Sequence, residues 1–377
     1  MDYVMTEEDE LIQQNAGEFS AEYIEPIAVD LDKTGIYPKK TVDLLAENGF
    51  MGLCFSSSFN GAEASYVSYI LALEEIAKVS AGVASILLNH VSLAAYSVNK
   101  WGTADQKNKY LSELCTGEKL GAFAWAEADS APGLNESSLK AVKADDNYIL
   151  NGKKCYVANG GEAGLYLAAA LTADEESTKK FSIFIVPANV QGIHIVRKID
   201  KMGLRACPWV EMSFENCKIP VENLLGQENN GLIMIKEAYL AANVAEGAVA
   251  IGIMEAALKE ASEYAKNRIQ FKRPIAKFPA IQNMLADIAG NLELARLAVY
   301  DAAGKITKNK PFMREAATIK KFLSNVGTQA LIDAVQVEGG YGFCEDMSVS
   351  RLYRDINGLF FTESSEDFAE QIIAKEI

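Results

Sequence analysis

The sequence predicts helices, then a small β unit, then a helix bundle, in series. Three observations carry this reading. Capped patterns of helical period fill the first third, short β-type runs split by turn residues fill 122–218, and long helical patterns resume near 230. These changes of texture place a helical unit over 1–120, a β unit over 121–228 and a helical bundle over 229–377. Strands and helices are segregated, which argues against a doubly wound parallel sheet.

In the first unit, Thr6 followed by Glu7, Glu8 and Asp9 reads as an N-cap with an acidic first turn. Pro38 stands where a helix begins, and Gly49 follows TVDLLAEN as a stop. Helical patterns follow near 66–79, 80–98 and 104–116. In the second unit, Tyr148-Ile149-Leu150 and Lys153 to Val157 flank Asn151-Gly152, which predicts a hairpin turn at that pair. Phe181–Val186, Ile193–Val196 and Val210–Phe214 are further strands, giving an antiparallel sheet or barrel of roughly 100 residues. In the third unit, Ile281, Met284, Leu285, Ile288, Leu292, Ala295 and Val299 step along one helical face. Pro311 opens another helix, which Gly339-Gly340 ends.

Composition limits the function classes. The 377 residues are ample for a large core, and 36 basic against 51 acidic residues give a net charge of -15. That balance argues against nucleic acid, which needs a basic footprint. The six Cys have no CxxC spacing and read as buried thiols in a reducing compartment. The acidic start lacks the apolar region of a signal peptide, and the longest apolar runs read as too short or too interrupted for a membrane span, so a cytoplasmic location is expected.

The catalytic inventory is short. Rossmann, P-loop and nucleophile-elbow motifs are all missing. Of the two His, His90 sits in an apolar helical run and reads as a packed core residue, and His194 sits in a strand pattern without a carboxylate cluster. Metal and Ser–His catalysis therefore lack parts, which leaves a carboxylate or an organic cofactor.

Several stretches, in order, resemble the acyl-CoA dehydrogenase family. Phe123-Ala124-Trp125-Ala126-Glu127 resembles its F-x-x-T-E-P, and Lys154-Cys155-Tyr156-Val157-Ala158-Asn159-Gly160 its K-x-W-I-T-N-G. Lys201-Met202-Gly203-Leu204-Arg205, Phe214-Glu215-Asn216 and Ile219-Pro220 through Asn223-Leu224-Leu225-Gly226 resemble the end of its β domain. Tyr264-Ala265 through Arg268, Gln270 and Phe271 resemble Y-A-x-x-R-x-x-F-G. Gln336, Gly339-Gly340 and Gly342 precede Arg354-Asp355 at the family interval.

The resemblance implies an N-terminal all-α domain, a middle antiparallel β-barrel domain and a C-terminal four-helix bundle. It implies FAD, an acyl-CoA substrate, a homotetramer built as a dimer of dimers, and an electron-transfer flavoprotein as redox partner, in fatty acid metabolism. The flavin ring would lie against the β domain at Trp125, Ala126, Tyr156, Val157 and Ala158. The diphosphate and adenine would reach a neighbouring subunit at Arg268, Phe271, Gln336, Gly339 and Gly340, with Ser365 keeping a hydroxyl for the cofactor. Leu240, Asn243 and Ser364 match positions near the substrate.

Glu363 stands eight residues beyond Asp355, where much of the family has its catalytic Glu. Leu359, Phe360 and Phe361 precede it, and a carboxylate behind them would be desolvated and tuned upward, as an α-proton base requires.

The chain departs from the family pattern at several points. Ala126 and Ala158 replace two flavin-bonding Thr, Asn243 replaces an Arg, Pro279 replaces a Gln, and Pro132 lacks the hydroxyl of the flavin loop. These changes leave three other readings open: the same chemistry in reverse as an enoyl-CoA reductase, an oxidase using O₂, or a non-catalytic family member. A carrier-protein thioester could also take the place of CoA.

Overall fold

The computed structural model describes residues 5–127, 138–175, 178–361 and 366–375. Helices α1 (Glu7–Phe19), α2 (Ala28–Thr34), α3 (Lys39–Glu47), α4 (Tyr66–Val79), α5 (Ala81–Leu88), α6 (Tyr96–Trp101), α7 (Ala104–Gln106) and α8 (Ser112–Cys115) form the first unit. Thr6 caps α1 in a reciprocal capping box with Asp9, and Pro38 and Gly49 flank α3 as expected. A π-helical stretch, Asn89–Ala95, joins α5 to α6.

Eight strands follow: β1 (Gly121–Ala124), β2 (Lys140–Ala144), β3 (Asn147–Ala158), β4 (Leu165–Glu175), β5 (Thr178–Pro187), β6 (Ile193–Lys198), β7 (Trp209–Pro220) and β8 (Leu224–Leu225). Their order is β6-β7-β3-β2-β4-β5-β8, with β1 beside β4. The β1–β4 and β2–β4 pairings are parallel, so the sheet is mixed where an antiparallel one was expected. The hairpin also differs. Ala144 pairs with Asn147, which puts the turn at Asp145-Asp146, while Asn151-Gly152 lies inside β3 at a bulge against β7. Asp145 takes the positive φ that such a two-residue turn needs.

The sheet's two faces bury different cores. Leu165, Leu167 and Ala169 of β4 join the large core shared with the helices, and Tyr166, Ala168 and Ala170 join a second core with Tyr148, Phe184 and Phe214. That explains the unbroken apolar run LYLAAAL, since a strand covered on both sides shows no polar alternation.

A two-stranded ribbon, β9 (Ile269–Gln270) and β10 (Arg273–Pro274), follows the long α9 (Gly231–Asn267). Then come α10 (Pro279–Thr307), α11 (Met313–Glu338), α12 (Ser348–Leu359) and α13 (Glu366–Lys375). Helices α9, α10 and α11 pack mutually, and α12 closes on α9 and α11. Pro279 opens α10 at its first turn, while Pro311 lies just ahead of α11. Of the α10 face read from sequence, Ile288, Leu292, Ala295 and Val299 are buried, and Ile281, Met284 and Leu285 are only partly covered.

Two stretches, Ala81–Trp101 and Gly231–Asn267, are long and apolar enough to cross a bilayer, which corrects the sequence expectation. The most apolar window of each is almost wholly buried inside the protein, as in a core helix.

Candidate active site

The β unit supplies the first group of site residues. At the end of β1 the chain turns out through Trp125 and Ala126, and Glu127 is buried directly below. Lys154 of β3, also buried, meets Glu127 at 2.6 Å and donates to the Trp125 carbonyl at 2.9 Å. Glu127 in turn accepts from the backbone N–H groups of Ser138 and Leu139. Burial pulls the Lys154 ammonium down to about 8 and the Glu127 carboxylate opposes that pull. The pair therefore clamps both ends of the 128–137 segment to β3, in a place where an uncompensated charge would be costly.

Beside this clamp the β3–β7 ladder slips between Lys154 and Val157. The Cys155 N–H turns to the Ala126 carbonyl at 2.8 Å, and Tyr156, at φ +57°, is 51% exposed with its ring edge-on to Trp209. Bulges of this kind re-aim side chains next to sites. Val157 and Ala158 are buried behind it. Trp125 packs edge-on against Phe181, and Phe123 against Tyr239 of α9. The last contact brings the β unit to the α9 segment that holds Leu240 and Asn243, both buried.

One turn beyond Asn243, Glu246 and Lys320 of α11 form a buried two-pronged pair at 2.8 and 2.9 Å. Lys320 also donates to the Leu359 carbonyl at 3.4 Å, at the end of α12. Helix α12 is tied from its other side. The Leu204 N–H donates to Asp355 at 2.6 Å, and Arg354 forks onto Asp32 and reaches the Met202 carbonyl. Burial raises the Asp355 carboxyl to about 6 despite the hydrogen bond from Leu204. Gly203 is required here because a Cβ would lie 2.3 Å from the Arg354 carbonyl oxygen.

Glu363, Ser364 and Ser365 lie outside the described residues, as does the 128–137 loop with Pro132. Of the apolar shield read ahead of Glu363, Leu359 is buried and Phe360 partly so. Phe361 is 85% exposed and stands beyond the end of α12.

The second group gathers at the far end of α9. Arg268, Gly339 and Gly340 line one cavity of about 420 Å³ together with Tyr264, Gln270, Ile275, Val337, Glu338, Tyr341 and Cys344. Phe271 is 88% exposed on the ribbon turn and Gln336 is exposed on α11; neither lines the cavity. A larger cavity of about 990 Å³, between the N-terminal unit and the α10–α11 turn, contains none of the residues read as site residues.

His90 is the core residue expected. It is fully buried, with Nε2 at 3.1 Å from the Leu114 carbonyl and Nδ1 accepting from the Gly121 N–H, and burial lowers it to about 4. The Cys are free; four are buried as expected, while Cys54 is half-buried and Cys344 is exposed.

Three domain models of one family match in sequence order: the acyl-CoA dehydrogenase N-terminal domain over 6–118, the middle domain over 122–217 and the C-terminal domain over 229–377. The chain belongs to the acyl-CoA dehydrogenase family. It is 35% identical to a short-chain specific acyl-CoA dehydrogenase of Clostridium acetobutylicum, with 100% of each chain covered. It is 34% identical to an acryloyl-CoA reductase (NADH) of Anaerotignum propionicum, covering 100% of this chain and 96% of that one. The butyryl-CoA dehydrogenase of Megasphaera elsdenii superposes with a TM-score of 0.97 at 35% identity, covering 100% of this chain and 99% of that one. A structure from work on the electron transferring flavoprotein of Acidaminococcus fermentans superposes at 0.96 with 36% identity, covering the same shares. Family membership makes the chain an oxidoreductase acting on CH–CH donors, with FAD as cofactor.

The residues present fit that cofactor in two parts. The bulged β3 with its half-exposed Tyr156, and the Trp125 segment held by the Glu127–Lys154 clamp, offer aromatic side chains on one part of the β unit. The Arg268 cavity offers a cation and bare glycine backbone, with no atom within 4 Å of a Cβ built on Gly339 or Gly340.

Sequence reasoning missed three acids: Glu127 as a clamp, Glu246 and Glu338. Glu246 and Glu338 carried a readable signal, a charge on the buried face of a helix, in ANVAEGAVAIG and in the step Leu331, Ala334, Glu338.

Proposed function

We propose that the chain desaturates a short-chain acyl-CoA between its α and β carbons, with Glu363 taking the α-proton. The observation that carries this reading is the convergence on the middle of α9. The Phe123–Tyr239 contact brings the Trp125 segment to Leu240 and Asn243, and the Lys320–Leu359 contact brings the end of α12, which leads into Glu363, to Glu246 one turn away.

FAD, when bound, supplies the acceptor for the hydride that leaves the β-carbon. The chain's own residues do the rest. Glu363 removes the proton, Trp125 and the bulged β3 seat the ring, and buried Leu240 and Asn243 line the thioester's path without adding a charge. The short-chain assignment rests on the relatives from Clostridium acetobutylicum and Megasphaera elsdenii.

The working form is a homotetramer. Arg268 follows Asn243 by 25 residues of nearly continuous helix, roughly 37 Å at 1.5 Å per residue, so the two cofactor regions of one chain are too far apart for one dinucleotide. The outward Phe271, Tyr341 and Phe343 around the second region suit a neighbouring copy. An electron-transfer flavoprotein is the proposed redox partner, in keeping with the Acidaminococcus work.

Reduction of an enoyl-CoA is the second reading. Asn243, neutral where the family pattern has Arg, and the acryloyl-CoA reductase relative favour it. The test is an anaerobic comparison. The purified protein is expected to be yellow, and saturated acyl-CoAs to bleach its flavin band fastest at short chain length. Reoxidation of dithionite-reduced protein by unsaturated thioesters, with no bleaching by saturated ones, identifies the reductase. A protein that takes up no FAD overturns both readings.

A further inference from the structure

Lys320 of α11 and Glu246 of α9 are each 2% exposed. The ammonium meets both carboxylate oxygens, at 2.8 and 2.9 Å, in a stretch of α9, Val244–Ile253, that is otherwise apolar. A buried ion pair is a weak source of stability, since well-packed apolar residues of the same volume often do as well or better. What apolar residues cannot do is hold a main-chain carbonyl. Lys320 does so, donating to the Leu359 carbonyl at 3.4 Å.

Leu359 is the last residue of α12, so its carbonyl is one of those a helix leaves unsatisfied, and a cation there suits the negative end of the helix dipole. The next residue is held by the same helix. The Lys320 ammonium lies 5.9 Å from the centroid of the Phe360 ring, and that ring presses on Gly327 of α11, where a Cβ would come within 2.9 Å of it. Glu363 follows Phe360 by three residues, at most about 11 Å of extended chain. Leu359 and Phe360 are thus gripped by α11 just ahead of the proposed base.

We propose that Lys320 and Glu246 are positioning residues for the dehydrogenation base: Lys320 fastens the chain that carries Glu363, and Glu246 cancels the ammonium's charge so that the base keeps its affinity for the proton. The inference rests on the reading of Glu363 as the base and adds two residues to it. The cancellation matters because Asn243, one turn before Glu246, is neutral where the family pattern has Arg. With the ion pair closed, neither α9 nor α11 puts a net positive charge beside the base. Within one turn of the pair, α9 and α11 present no further charge on that face. Helix α12 contributes Asp355, with Arg351 and Arg354 beside it, and α13 contributes Glu370, paired with Lys321. Helices α10 and α4 contribute the Arg296–Glu74 pair, which reaches α9 at Glu255.

The experiment follows anaerobic flavin bleaching by butyryl-CoA between about pH 5 and pH 9, in the FAD-loaded full-length protein at equal flavin occupancy. Glu246→Gln keeps the shape and leaves the Lys320 charge uncancelled. At an effective dielectric of about 20 and a distance of about 10–15 Å, one bare charge moves a carboxyl by about one unit, so the acid limb of the pH profile should shift down by about one pH unit. Glu246→Gln combined with Lys320→Met removes both charges. The limb should then return to its wild-type position, while bleaching at the plateau slows about tenfold or more because the end of α12 has lost its tether. Lys320→Met alone leaves a bare buried acid, so the double variant carries the test of the tether.

An acid limb unmoved in Glu246→Gln, or a plateau rate unchanged in the double variant, overturns the inference while leaving Glu363 as the base. A lowered melting temperature in both variants, with pH profile and plateau rate as in the wild type, also overturns it and assigns the pair to stability alone. Bleaching at the wild-type rate in Glu363→Gln overturns the reading of the base itself, and this inference with it.

Discussion

Three buried ionisable residues behave differently because their surroundings differ. Glu127 has Lys154 at 2.6 Å and two backbone N–H donors. Removing one partner of such a pair leaves a bare buried charge and costs about 3–5 kcal/mol. Lys154→Met is therefore expected to lower the melting temperature and release flavin, and adding Glu127→Gln should recover part of the loss in a double-mutant cycle. Glu338 has no partner, and its acid is raised from 4.5 to about 7. A raised acid binds its proton more tightly in the folded state, so its contribution to stability is lost as pH rises from about 4.5 to 7. Glu338→Leu should raise the melting temperature of the flavin-free chain above pH 7 and change it little at pH 5, read from thermal melts. His90 has the opposite sign. Its pKa is lowered to about 4, so the neutral core form loses stability as pH falls from about 6.5 to 4.

At the scale of elements, α12 is held at its middle and at its C-terminal end by contacts far apart in sequence. Asp355 and Arg354 bind the 202–204 turn and Asp32, and Lys320 donates to the Leu359 carbonyl. The helix thus serves as a bracket for the chain that leads on to Glu363, the proposed base. Gly203→Ala would press a Cβ against the Arg354 carbonyl, and overpacking of this sort costs about 1–3 kcal/mol. The expected result is a lower melting temperature together with a reduced turnover number. A variant with a lowered melting temperature and normal turnover would separate the bracket from catalysis.

The elements were legible in sequence to differing degrees. The α1 cap, the start and stop of α3 and the end of α11 at Gly339 act through neighbouring residues, and the chain spells them out locally. The hairpin did not come out correctly. Asn151-Gly152 has ideal turn chemistry, but β3 runs through it because its ladder to β7 continues on both sides. Parallel pairing of β1 and β2 with β4 is equally invisible, since a strand's pattern says which faces are buried and not which strand lies alongside.

At the scale of the whole molecule, the order of weak motifs identified the family where no single motif could. The ion pairs that fix the site were less visible. Glu127–Lys154 and Glu246–Lys320 join residues 27 and 74 positions apart, and nothing local marks them as partners. The exposed Phe271 and Phe343, 88% and 87% accessible, suit the proposed contact with another copy. Phe343→Glu should shift the oligomer toward smaller species in light scattering and weaken FAD retention in parallel. Retained FAD in a dissociated chain would show that one chain holds its cofactor alone.

The central claim is that Glu363 removes the α-proton of a thioester beside the flavin. Anaerobic stopped-flow mixing of the FAD-loaded protein with butyryl-CoA tests it most directly, comparing wild type with Glu363→Gln at equal flavin occupancy. The account predicts rapid bleaching in the wild type and at least a hundredfold slower bleaching in the variant, the scale expected for a lost general base. Equal bleaching rates would contradict it.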